Sequence, residues 1–172
     1  MITRKEAIAM LESDDLTMIA LEADAVRKKW HPERIVTYCA EAGANTADRT
    51  IATIRFGPDD SIERQVSRLE TVRRIQEDTG SLVAVHPWFA GTAVEYLRTL
   101  GVCRIYLDNI PNVQTSAIRA RSKVFQIALR FGANDLSAAS GEIAEEEIRR
   151  VIRDAGFVPK ERDALFRTYY LD

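Results

Sequence analysis

Cysteine is scarce in this chain: there are two, Cys39 and Cys103, far apart in the sequence. Their number and separation exclude a disulfide framework and any loop of closely spaced thiolates, and they suit a reducing compartment. Histidine is equally sparse, with His31 and His86 and no neighbouring cysteines, so no zinc site is expected. Glycine-rich phosphate loops of the GxxxxGK[ST] or GxGxxG kind are absent. No run approaches the ~20 apolar residues that span a bilayer. Met1 to Glu6 has no apolar stretch behind it, which gives no expectation of a signal peptide. A net charge of -2 and a pI near 5.8 remove the electrostatic reason to expect nucleic acid or an anionic membrane as partner. The expectation is a cytoplasmic protein.

What is present is a globular composition. The 172 residues, 46% of them hydrophobic, suffice for one domain with a substantial core. Residues 1–45 read as an N-terminal helical segment with a possible first strand, and residues 50–172 as strand–helix units. Thr3 to Glu6 fits a capping box, and Leu16 to Trp30 has helical apolar spacing. Glu33 to Ala40 reads as a strand through Ile35-Val36-Thr37-Tyr38, with a helix running to Gly43 as the alternative. Thr50 to Gly57 is short, β-branched and closed by Gly-Pro, hence a strand. Asp59, Asp60 and Ser61 offer N-caps for a helix over Ile62, Val66, Leu69, Val72 and Ile75, stopped by Gly80. Ser81 to Trp88 reads as a strand, followed by a short helix to Gly101. Cys103 to Ile110 reads as the next strand, then a helix from about Ser116 to Gly132 and a weaker strand over Ala133 to Ala138. A helix closes at Gly156, and another is expected from Lys160 to Tyr170. Strand–helix alternation with glycine stops predicts an α/β fold with a parallel sheet.

Four or five such units make half of a (β/α)8 barrel, which when complete needs at least ~200 residues. Open sheet edges must be covered or paired. A barrel interior of Ile, Val and Leu left uncovered would also be a large apolar patch. Both considerations lead to the expectation of a homo-oligomer, a dimer of half barrels.

The motifs themselves carry a likeness. His31-Pro32-Glu33-Arg34-Ile35-Val36-Thr37-Tyr38, Thr50 to Gly57, Gln76-Glu77-Asp78-Thr79-Gly80 and His86-Pro87-Trp88 come in order. Leu107-Asp108-Asn109-Ile110-Pro111-Asn112, Leu129 to Asp135, and Val151 to Pro159 with Arg162-Asp163 follow. Together, over roughly residues 15–38 and 50–170, they resemble cyclic dehypoxanthinyl futalosine synthase, a radical S-adenosylmethionine (SAM) family of the futalosine route to menaquinone. The resemblance implies SAM and a 4Fe–4S cluster. Yet where the family continues past Tyr38 into a CxxxCxxC loop, this chain passes through Cys39 to Thr50 within a dozen residues. A single cysteine cannot hold a four-iron cluster, so the sequence reading is of no cofactor and of a barrel remnant, non-catalytic and self-associating. The family's glutamate-containing loop is also missing after Asp135. Deleting barrel strands two to four leaves a contiguous arc ordered five, six, seven, eight, one, because the first and eighth strands of a barrel are neighbours.

Active sites of such barrels lie at the C-terminal ends of the strands, where the sequence reading places Arg55, His86, Asp108, Asn109, Asn134 and Asp135. Asp108 and Asn109 can hydrogen-bond a sugar or nucleobase edge, and His86 can act as acid or base near neutral pH. Equally, these residues can cap helices or face water. The alternative function is an enzyme or accessory nucleoside-binding factor of menaquinone biosynthesis. Cys39 and Cys103 read as buried small hydrophobes, and Trp30 and Trp88 as packing or interface anchors.

Overall fold

The computed structural model describes residues 2–39, 50–116, 123–137 and 143–163. Two helices lead the chain, α1 (Arg4–Glu12) and α2 (Leu16–Trp30), and β1 (Ile35–Tyr38) follows as a strand. Strands and helices then alternate: β2 (Thr50–Phe56), α3 (Ile62–Thr79), β3 (Leu82–Phe89), α4 (Ala93–Tyr106), β4 (Asn112–Ser116), α5 (Lys123–Arg130), β5 (Asp135–Ser137), α6 (Glu145–Asp154) and β6 (Val158–Glu161). Thr3 and Glu6 form the expected capping box. Ser61 caps α3, and Gly80 ends it in the left-handed conformation at φ +59°.

The six strands form one all-parallel sheet in the order β2-β3-β4-β5-β1-β6. The first five members are the arc that the sequence reading derives, with β1 beside β5. This is an α/β fold consistent with a partial TIM-type barrel. The sixth strand is an addition to the expected four to five. Val158–Glu161 pairs with β1 on its far side, where the expected Lys160–Tyr170 helix would have begun. Pro159 lies within it, which is tolerable because an edge strand need not donate that N–H outward.

A second correction concerns Cys103 to Ile110. These residues do not begin a strand; Cys103 to Tyr106 complete α4, and β4 starts at Asn112. The cause is burial. Leu100, Val102, Cys103, Arg104, Ile105 and Tyr106 are all buried, because α4 packs on β3 on one side and on α1, α2 and α5 on others. A helix enclosed on every side shows a continuous apolar run, and periodicity cannot then tell it from a strand. The helix expected from Ser116 begins at Lys123, while residues 40–43, 117–122, 138 and 164–170, where parts of several expectations fall, lie outside the described residues.

Helices cover one face of the sheet. Val36, Val85, Val113 and Leu136 point into that layer and are fully buried beside Leu100, Phe125 and Leu129. Hydrogen bonds fix the same polarity, since Tyr38 donates to Glu145 of α6 and the Tyr96 and Thr115 hydroxyls meet at 2.8 Å. The opposite, inner face is left to the alternate residues of each strand.

Candidate functional site

Register pairing places one inner-face residue from each strand in a single row. Thr53 pairs with His86, Gln114 with Asp135, Asp135 with Thr37, and Thr37 with Lys160. His86 and Gln114 are each the next residue after the paired Val85 and Val113 on neighbouring strands. Every member of this row is polar. The sequence reading expects Ile, Val and Leu in the barrel interior; this row departs from that, whereas the residues two positions earlier on the same face include Ile35, Ile51, Ala84 and Val158. One layer toward the C-terminal ends, Arg55 pairs with Trp88, and both are exposed.

Asp135 is the centre of the row. It is fully buried and receives four hydrogen bonds. Arg162 donates from Nε to Oδ1 at 2.5 Å and from Nη2 to Oδ2 at 2.7 Å, a two-pronged clamp. Gln114 Nε2 donates to Oδ2 at 2.8 Å, and the Thr37 hydroxyl donates to Oδ1 at 2.6 Å. Burial alone would disfavour the Arg162 charge, but the Asp135 carboxylate more than offsets it and holds the guanidinium pKa above its ordinary value. Thus the last described strand is bound to the inner face by a buried ion pair.

His86 stands beside this cluster. Burial lowers its pKa below the ordinary histidine value, against the opposing pull of the Asp135 charge. His31 is lowered too, by burial first and by Arg104 and Arg27. Both imidazoles therefore bind fewer protons in the folded chain than in the unfolded one as pH falls below the ordinary histidine range. Stability contributed this way is present above that range and is lost on acidification through it. His86→Gln is expected to flatten the dependence of Tm on pH between about 7.5 and 5.5, where an unperturbed histidine titrates. An unchanged slope would show that His86 titrates alike in both states.

Of the six residues expected at the strand ends, three lie on the inner face: Arg55, His86 and Asp135. The other three lie at the opposite, N-terminal ends. Asp108 and Asn109 occupy the turn between α4 and β4. Arg73 pairs with Asp108 at 2.7 Å and holds its carboxyl below the usual range despite burial, while Gln76 donates to the Asn109 carbonyl. Asn134 precedes β5 and ties strands together, accepting from Val113 N–H at 2.9 Å and donating to Asn112 at 2.8 Å. Thr37, Thr53, Gln114, Lys160 and Arg162 are residues of the row and its clamp that sequence reasoning missed. Arg162 stood in a family-like segment, but nothing in the sequence said which carboxylate it would meet.

Cluster donors are a separate matter. Cys39 and Cys103 are both buried, and burial pushes the Cys103 thiol well above its ordinary pKa. Among the described residues no group of three or more His, Cys, Asp or Glu is placed to hold a metal. This chain's own thiols do not fit a four-iron cluster.

Comparison with known proteins supplies the context. The model of the CofH/MqnC C-terminal region matches residues 75–171, more than half of the chain. The 5-amino-6-(D-ribitylamino)uracil–L-tyrosine 4-hydroxyphenyl transferase 2 of Methanosarcina mazei is 29% identical over 209 positions, covering 95% of this chain and 53% of the relative. That alignment is longer than the 172-residue chain, so the relative carries segments this chain lacks. The corresponding transferase of Methanococcoides burtonii is 31% identical over 70% of this chain and 43% of its own length. The aminodeoxyfutalosine synthase of Thermus thermophilus is 26% identical over 69% of the chain and 40% of its own length. The chain spans about half the length of the curated relatives it matches. These relatives overturn the sequence reading of no cofactor, since they are radical SAM enzymes, which use SAM and a 4Fe–4S cluster. With the parallel arc, the polar inner row and the family match in hand, the chain belongs to the CofH/MqnC C-terminal region family of radical SAM proteins.

Proposed function

We propose that this chain is the substrate-holding side of a radical SAM barrel, binding a hydroxylated nitrogen heterocycle on its inner face and non-catalytic by itself. The observation that carries this reading is the continuous polar row Thr53–His86–Gln114–Asp135–Thr37 across an α/β sheet. A neutral imidazole and a primary amide in one layer, the amide held by the Asp135 carboxylate, can donate to and accept from sugar hydroxyls and a base edge. At the mouth, Trp88 offers a stacking surface and Arg55 a fork of donors. The relatives' names include a ribitylaminouracil and an aminodeoxyfutalosine, and the resemblance to cyclic dehypoxanthinyl futalosine synthase supports the same ligand class. Binding of 5-amino-6-(D-ribitylamino)uracil or aminodeoxyfutalosine should raise Tm progressively with the logarithm of ligand concentration above Kd. No shift with either compound at millimolar concentration refutes the reading.

Self-association is a second proposal, favoured by the outer edge of β2. Among the described residues this strand is paired only with β3, and a groove of about 690 Å³ runs beside it, lined by Thr53, Ile54, Arg55, Arg68, Thr71 and Val72. Open edges invite pairing. Light scattering that shows monomer mass throughout a wide concentration range would end this proposal.

A further inference from the structure

We propose that the arginine cluster around Phe157 is a binding site for a small oxyanion of the phosphate type. Phe157 is buried, and three guanidinium groups lie over its ring: Arg130 at 5.1 Å from the centroid, Arg27 at 5.2 Å and Arg34 at 5.9 Å. A ring has two faces, so at least two of these three like charges share one. Cation–π attraction holds each to the ring, but it does nothing to relieve their mutual repulsion. A fourth guanidinium, Arg104, is fully buried nearby and feels the Arg27 charge. Its Nη1 donates to the carbonyls of Ile110 and Pro111, while Nε and Nη2 have no partner among the described residues.

Counter-charge is short. Arg27 donates to Asp24 at 2.8 Å and to the His31 carbonyl at 2.9 Å, and Asp24 is shared with Lys28. Arg130 gives one N–H to the Ala155 carbonyl at 2.7 Å. Neither Arg34, Arg104 nor Arg130 pairs with a carboxylate among the described residues. This concentration of positive charge occurs in a chain whose net charge is -2, so it is local and not a reflection of composition.

Geometry divides the cluster into floor and rim. Arg27, at 1% exposure, and Phe157, at 4%, form the floor, while Arg34 and Arg130 are exposed at the rim, Arg130 with one of its N–H groups held by the Ala155 carbonyl. Arg34 also has φ +57°, the one positive value at a non-glycine position among the described residues. A side chain rarely adopts that conformation without a surrounding that enforces it. Guanidinium forks match phosphate oxygens in pairs, and an anion with several oxygens can bridge more than one fork. The site precedes β1 and β6, at the N-terminal end of the sheet, and is therefore distinct from the inner-face row.

The test is calorimetric titration with inorganic phosphate at fixed ionic strength, using chloride as the matched control and ribose 5-phosphate as a second ligand. Saturable phosphate binding is expected, weakened at least tenfold by Arg34→Gln and by Arg130→Gln and unchanged by Arg74→Gln, an exposed arginine of α3. Tighter binding of ribose 5-phosphate than of phosphate would identify the natural ligand as a phosphate ester. Arg34→Lys keeps the charge without the fork and is expected to bind less tightly than wild type; it is read in place of Arg34→Gln if circular dichroism shows the latter unfolded. Absence of saturable heat, an equal response to chloride, or an equal loss in Arg74→Gln overturns the proposal.

Discussion

Asp135→Ala is expected to destabilise the chain by about 3–5 kcal/mol, the range for stripping one partner from a buried ion pair. The size follows from what the substitution leaves behind. Arg162 is 4% exposed, and its Nε and Nη2 both point at the lost carboxylate, with Gln114 and Thr37 losing their acceptor as well. The guanidinium keeps its donation to the Asp163 carbonyl but loses its Asp135 carboxylate partner at a buried position. The pair's net worth is a different quantity, since replacing both partners by apolar residues removes the desolvation cost along with the attraction. Asp135→Leu combined with Arg162→Met is accordingly expected to be more stable than Asp135→Ala alone. Urea denaturation of the three proteins decides it. A single-variant loss below about 1 kcal/mol, the worth of an exposed pair, would show that Arg162 reaches solvent in solution.

Gly132→Ala should cost about 3 kcal/mol, from backbone strain and overcrowding acting together. Gly132 has φ +91°, and a Cβ there would stand 2.5 Å from Arg104 Cγ and 3.0 Å from the Ala23 carbonyl oxygen. The arginine can yield only by shifting a guanidinium that is already wedged under two carbonyls, whereas the Ala23 oxygen belongs to helix α2 and cannot yield. In an Arg104→Ala background the same substitution loses the clash with Cγ but keeps the strain, the backbone contact and the 3.0 Å approach to the residue 104 Cβ, so it should cost less, roughly 2 kcal/mol. Thermal unfolding of the four-member cycle measures the difference. Equal costs in both backgrounds would place the Arg104 side chain elsewhere.

The sheet order was legible in the sequence because it follows from topology. Once the segment before Cys39 resembled a first barrel strand and that beginning at Thr50 a fifth, β1 had to sit beside β5, and it does. Helix boundaries were legible where chemistry marks them, as at Thr3, Ser61 and Gly80. The site was only partly legible, and one error explains much of the miss. Reading Cys103 to Ile110 as a strand put Asp108 and Asn109 at its C-terminal end, the catalytic end of a barrel. With α4 running to Tyr106, the same residues fall at the N-terminal end of β4, where they brace α3 through Arg73 and Gln76. Gln114 then emerges on the inner face, a position that alternation alone could not give without the correct strand. Arg162 was beyond reach for another reason: β6 is held by tertiary pairing with β1, and four residues containing a proline carry almost no strand signal of their own.

Ligand binding on the inner row is the central property to measure. Equilibrium titration with 5-amino-6-(D-ribitylamino)uracil, followed by calorimetry in wild type, His86→Ala and Gln114→Ala, tests this most directly. Saturable binding, weakened about tenfold in each variant, is the expected result, a loss on the order of 1.4 kcal/mol per site. Binding that survives both substitutions unchanged would contradict it and move the ligand off the inner face.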